Sequence, residues 1–256
     1  MYTEKASPIS GAFCDTIRES RDKCKRKGQI AMKILITGAT GQLGHDCVRE
    51  FRARGHEVHG VSSELFPLSD ENVMRAVLDA TEPDAILHAA AYTAVDKAED
   101  EPSLCRKVNA AGTEILARLA RERDAKLLYV STDYVFPGTG DAPHETNELT
   151  APHNVYGASK LAGEEAVQQH LEKYFIVRTS WVFGAHGKNF VKTMLELSKT
   201  HKSRSARPRI RATSRLCSWI CLRARNTASI TRRMRGSARG RSSPPRSSVR
   251  RARMST

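Results

Sequence analysis

The chain has 256 residues, 39% of them hydrophobic, and a formal net charge of +14, a balance that raises nucleic acid or a membrane surface as a partner. The placement of that charge excludes both for the body of the chain. Residues 201–256 hold sixteen Arg, one Lys and no acid, a charge of +17, which leaves the first 200 residues at −3.

No apolar run is long enough to span a membrane, and residues 1–31 lack the apolar stretch of a signal peptide. The six cysteines are scattered without metal-ligand spacing, so free thiols in a reducing cytoplasm are expected rather than disulfides or a metal site. Residues 1–31 show no clear hydrophobic period and are read as a flexible extension. From Met32 the pattern becomes strand then helix, repeated. Lys33–Thr37 (KILIT) is a short β-branched run followed by a Gly-rich turn. A helix is predicted over 43–54, ending at Gly55, then a strand over Glu57–Val61 and a helix over 72–80. A third strand lies within 84–91, a long helix over 104–123 and a fourth strand over Lys126–Thr132. A helix over 156–171, a strand over 175–180 and a helix over 189–198 complete the series. Strands alternating with helices predict an α/β fold with a doubly wound parallel sheet of Rossmann type over 32–200.

The turn after the first strand reads Gly38-Ala-Thr-Gly41-Gln42-Leu43-Gly44. Strand before and helix after make it a dinucleotide-binding turn: glycines let backbone approach a pyrophosphate, and the helix N-terminus offers free N–H groups. The second strand runs into Ser62 and Ser63 without the acid that would grip a ribose 2′-hydroxyl, which tilts the expectation slightly towards NADPH over NADH. Ala89, Ala90 and Ala91 would let a flat cofactor lie against backbone. Thr132 ends the fourth strand, and Tyr156 with Lys160, four residues apart, shares one face of the next helix. All three belong at the carboxyl rim of the sheet. There a hydroxyl, a phenol and an ammonium form a proton-transfer group, with Lys160 expected to lower the tyrosine pKa.

These motifs in this order resemble the extended short-chain dehydrogenase/reductases. ILITGATGQLG, AAYTAVDKAE, VSTDYVF, NVYGASKLAGE and FIVRTSWVFG together closely resemble the dTDP-4-dehydrorhamnose reductase family over about residues 32–200. The resemblance implies catalysis by Thr132, Tyr156 and Lys160. It implies cofactor contacts at the glycine turn, Leu68, Ala89, Ala90, Ala91, Tyr92, Tyr156 and Lys160, and substrate contacts at Val95, Asp133, Tyr134 and Trp181. The implied reaction is NAD(P)H-dependent reduction of the C4 ketone of a dTDP-6-deoxyhexulose, in dTDP-rhamnose biosynthesis. The implied partner is a nucleotide sugar. The family also admits a homodimer and a Mg2+ ion, for which the residues themselves give no argument. Pro67-Leu68-Ser69-Asp70 departs from the family's usual acid-first stretch, which puts an adenine contact in doubt.

After residue 200 the resemblance stops where the family would continue into a substrate-binding lobe. Residues 201–256 are an aperiodic Arg/Ser/Pro-rich tail, expected to be disordered and to bind no specific nucleic acid. Reading residues 225–251 in the neighbouring frame, with synonymous codon choices, yields YHATNEG and SWAEFAAEIF, which resemble the missing lobe; the tail is therefore read as frame-shifted. Two other readings stay open at this point: another nucleotide-sugar epimerase or dehydratase, and a non-catalytic nucleotide-binding regulatory homologue.

Overall fold

The five apolar runs lie side by side as one parallel sheet in the computed structural model, which describes residues 31–139 and 144–200. The extension ahead of residue 31 and the basic tail after residue 200, with the reading-frame argument attached to it, lie outside the described residues. Strands β1 (Lys33–Thr37), β2 (Glu57–Val61) and β4 (Lys126–Thr132) keep the bounds expected from sequence. β3 (Ala85–His88) is shorter than its apolar run, and β5 (Tyr174–Thr179) begins and ends one residue earlier than expected. The strand order is β2-β1-β3-β4-β5, with every pairing parallel. The chain leaves β1 for β2 on one side, and β3 returns on the other. The loops after β1 and β3 therefore part, and a crevice opens above their carboxyl ends.

Successive strand residues point to opposite faces, and each face has its own core. Leu35, Ile86 and Ile176 pack with Met74, Leu78, Leu116 and Leu119. Ile34, Ile36, Leu87 and Val177 pack with Leu43, Cys47 and Phe51. Helices α1 (Gln42–Ala53) on one face and α2 (Glu71–Thr81) and α5 (Gly112–Glu122) on the other supply these partners. Burial on both faces is why the strands read as near-continuous apolar runs instead of alternating ones. Each fully buried Leu or Ile contributes about 2 kcal/mol of transfer free energy.

Two segments differ from the sequence expectation. Residues 95–100, which lie between the third strand and the long helix expected from sequence, form a short helix α3 (Val95–Asp100). The long helix expected over 104–123 is broken into α4 (Pro102–Arg106), a π-helical turn (Lys107–Ala111) and α5. Pro102 starts α4 at a position where its missing N–H costs nothing. The π turn inserts one residue into the helical repeat and rotates Asn109 into the core, where it is 1% exposed. Its amide ties three elements together: Oδ1 accepts from the Tyr92 backbone N–H at 2.8 Å, and Nδ2 donates to the Tyr92 carbonyl and to Ser159 Oγ. Helix α6 (Val155–His170) follows β4, and α7 (Phe190–Thr200) follows β5. β5 is the last strand of the described sheet, and Trp181, Phe190, Leu195 and Leu197 are exposed beyond it.

Candidate active site

The glycine turn is shaped by how closely β1 runs into α1. Gly38 has φ +68°, and a Cβ there would stand 2.8 Å from the Ala90 backbone nitrogen. A Cβ on Gly44 would enter the Gly38 carbonyl oxygen. Gly41 is the N-cap of α1 and brings no side-chain cap. The first-turn residues Gln42, Leu43 and Gly44 border open space, where their backbone N–H groups can meet an anion. Gly44→Ala is expected to lower stability by about 1–3 kcal/mol, because backbone must move to admit one methyl. A urea titration that left the unfolding midpoint unchanged would show that the turn is looser than this geometry.

Across the crevice, the chain leaves β4 at Thr132. Its Oγ1 accepts from the Tyr134 N–H and donates to Asp133 Oδ1, both at 3.2 Å, which turns the chain into a single 3₁₀ turn (Asp133–Val135). Asn154 caps α6, its Oδ1 accepting from Gly157 N–H at 2.6 Å. Gly157 has no side chain to hold the Tyr134 carbonyl away, so α6 starts hard against the β4 loop. Tyr156 thereby comes to line the cleft with Thr132, and the Tyr134 ring stands edge-on to it at 5.9 Å. Lys160, one turn further, is 2% exposed.

A single cleft of about 820 Å³ joins these parts. It is lined by Gly38, Gly41, Gln42, Leu43, Gly44, Leu68, Ala89, Ala90 and Ala91, and by Val95, Thr132, Asp133, Tyr134, Tyr156, Lys160 and Trp181. Every site residue expected from sequence borders it except Tyr92. That side chain points elsewhere, its phenol donating to Glu101 at 2.8 Å. Asp70, of the departing stretch, caps α2 by accepting from the Asn72 and Val73 N–H groups. Sequence reading missed Ser131, Lys107 and Lys188, all of which line the cleft. Lys107 is brought there by the π turn and Lys188 by the loop ahead of α7. Ser131 Oγ is buried with no hydrogen-bond partner among the described residues, as a hydroxyl waiting for a ligand would be. Trp181, with φ +53° and 64% exposed, stands at the open side against the edge of Phe190.

Beneath the cleft, polar groups form one directed chain. The Ala90 N–H donates to Thr37 Oγ1, which lies 2.7 Å from His88 Nδ1; His88 Nε2 lies 3.1 Å from Thr113 Oγ1, which donates to the Asn109 carbonyl. Since Thr113 spends its proton on Asn109, His88 donates from Nε2; burial keeps the ring neutral, so Nδ1 accepts from Thr37 Oγ1. Burial, helped by the nearby Lys160 charge, lowers its pKa to about 3.

The expectation that Lys160 lowers the Tyr156 pKa is corrected by the burial of the phenol. Burial pushes the phenol up to about 12, and only hydrogen bonding with Thr132 pulls it back. Lys160 is lowered to about 7 by burial, against a smaller opposing effect of Glu164. Its Nζ lies over the Tyr129 ring, 3.9 Å from the centroid. Between pH 7 and 10.5 the unfolded chain holds the lysine proton and the folded chain does not, so stability rises with pH through that window. Tyr156 acts oppositely between 10 and 12, where only the folded chain keeps the phenolic proton. Lys160→Met is expected to flatten the rise of the urea midpoint from pH 7 to 10. An unchanged slope would mean that the amine is not buried.

A parallel sheet with a glycine turn after β1, facing a Thr–Tyr–Lys group at the rim of β4 and α6, defines a Rossmann-type domain of the short-chain dehydrogenase/reductase class. The chain belongs to the RmlD substrate binding domain family, whose model matches residues 32–206. It is 45% identical over 177 residues to the dTDP-4-dehydrorhamnose reductase of Salmonella typhimurium, covering 68% of this chain and 59% of that protein. It is 44% identical over 172 residues to the Escherichia coli K12 enzyme of the same name, covering 66% and 57%. The chain thus spans less than three fifths of the length of these curated relatives. The solved dTDP-4-dehydrorhamnose reductase of Bacillus anthracis, in complex with NADP, superposes with a TM-score of 0.76 at 35% identity. That match covers 81% of this chain and 76% of that one.

Proposed function

We propose that this domain reduces the C4 ketone of dTDP-4-dehydro-6-deoxy-L-mannose to give dTDP-L-rhamnose, with NADPH or NADH as reductant. The observation that carries the reading is the single cleft running from the glycine turn to Thr132 and Tyr156. It joins the glycine turn and the Tyr156 phenol in one space, which supports reading them as a dinucleotide cradle and a proton donor. The relatives named dTDP-4-dehydrorhamnose reductase supply the substrate, and the NADP in the Bacillus anthracis structure supports the cofactor. The cradle fits such a cofactor: glycines that a methyl would block, uncapped first-turn N–H groups, and the unbonded Ser131 hydroxyl. Ser62 and Ser63 border the cleft whereas Glu64, the next residue, does not, which favours NADPH slightly.

When bound, the dihydronicotinamide supplies a hydride to C4. Tyr156, held protonated at neutral pH by burial, gives its proton to the oxygen that becomes the C4 hydroxyl. Thr132 holds that oxygen in line with the phenol. Lys160, near the midpoint of its own titration at neutral pH, can hand a proton back towards the phenol after each turnover. Val95, Asp133, Tyr134 and Trp181 form the wall for the sugar nucleotide.

The test is NADPH oxidation with the 4-keto sugar nucleotide, run on this chain and on one with the reading frame restored after about residue 200. Turnover is expected in the restored chain, and slower turnover in the present one, whose sequence leaves the family pattern after about residue 200. No NADPH consumption by the restored chain ends this reading.

A further inference from the structure

The cleft leaves one question open: what holds the Lys160 cation in a site that is 2% exposed? A buried ammonium needs a partner. The nearest acid on its helix, Glu164, is taken. Arg178 on β5 donates to it from Nε at 3.0 and 3.1 Å and from Nη2 at 2.6 Å. Among the described residues, the other groups that face Lys160 are Cys105 on α4, the neutral His88 on β3 and Tyr129 on β4. Tyr129 alone offers it a surface. Its ring is 0% exposed and carries Nζ 3.9 Å from the centroid. The His88 ring lies 5.5 Å away at 28°, stacked on Tyr129. The Tyr129 hydroxyl reaches the Asn109 and Lys160 carbonyl oxygens, both at 3.4 Å, so the same side chain touches the lysine at its head and at its backbone. The ring is itself fixed, because Gly163 leaves room for the hydroxyl where any Cβ would collide with it.

We propose that Tyr129 is the positioning residue for Lys160: its ring face is the seat of the ammonium and favours the charged form over the neutral amine. Its consequence for proton return rests on the reductase reading; the seat itself does not. A cation over an aromatic face is favoured over the neutral amine, more so in a desolvated site. Removing the ring should therefore lower the proton affinity of Lys160 further, whereas removing only the hydroxyl should not.

The experiment uses the full chain grown on lysine labelled with ¹³C at Cε, and needs neither cofactor nor turnover. The Lys160 signal is assigned by its loss in Lys160→Met. In the wild type it is expected upfield of the other lysines, shifted by the Tyr129 ring current. Tyr129→Phe should keep that shift and the titration midpoint. Tyr129→Leu should abolish the shift and lower the midpoint by about one pH unit, a tenfold loss of proton affinity. A wild-type Lys160 signal without an upfield shift overturns the proposal, even if Tyr129→Leu does not fold. So does a Tyr129→Leu protein that folds and titrates as the wild type. Absence of NADPH oxidation alongside the expected spectra counts against the reductase reading and leaves the seat standing.

Discussion

Replacing Tyr156 by Phe in the frame-restored chain is expected to lower kcat by about 10²–10⁴-fold, the range for loss of a positioned general acid. Nicotinamide nucleotide affinity should stay unchanged. The substitution keeps the ring, so the edge contact with Tyr134 and the first turn of α6, capped by Asn154, survive. What disappears is one hydroxyl, the one that meets Thr132 at the cleft. On the proposed reductase reading, its loss leaves the carbonyl oxygen of the substrate without a proton at the moment negative charge builds on it. Stopped-flow NADPH oxidation gives the rate, and quenching of nucleotide fluorescence gives the binding. If turnover survives at more than about a tenth of the parent rate, the proton comes from elsewhere and Tyr156 is misassigned.

The second large effect is on stability. Glu164→Gln is expected to cost about 3–5 kcal/mol, a large part of the stability of a domain this size. Glu164 is 1% exposed and Arg178 is 8% exposed, so the guanidinium would be left charged and buried with a weaker partner. Arg178 already has Nη1 buried without a hydrogen bond among the described residues, and no spare acid takes over. The Phe136 ring, 4.9 Å from the guanidinium carbon, offers it only a cation–π contact. Removing Glu164 should also depress the Lys160 pKa further, since that carboxylate now raises it. Urea unfolding measures the loss. The double change Glu164→Gln with Arg178→Met is expected to recover part of it, because the orphaned charge goes too. A double mutant less stable than Glu164→Gln alone would show that the pair is held for packing and not for charge.

Lys160 shows how far the letters carry the site and where they stop. Its spacing from Tyr156 puts both on one helix face, and that is a local fact of a 3.6-residue repeat. The expected consequence, a lowered phenol pKa, depends on where the ammonium points. That was set by Tyr129, thirty-one positions away and on a strand, β4. Tyr92 makes the same point. It follows the three alanines that border the cleft, yet Asn109 holds its backbone and Glu101 its phenol, both outside the cleft. Asn109 reaches that place because a π turn shifts the register by one residue. A π turn carries no period that an i, i+3, i+4 reading could detect. Lys188 could not be assigned from sequence either. It joins the glycine turn through the loop whose Asn189 donates to Gln42 Oε1 across 147 positions.

By itself the sequence determined the strand–helix alternation, the parallel sheet, the glycine turn and the meeting of Thr132 with Tyr156 at one rim. Each of these follows from local periodicity, or from steric rules that hold wherever a β-strand runs into a helix. The tertiary structure alone decided the ionisation of the site. A phenol near 12 and an amine near 7 are products of burial, and of which buried neighbours already have partners. Burial is a property of the whole packed domain, since the groups that exclude water from Lys160 come from α4, α6, β3 and β4 together.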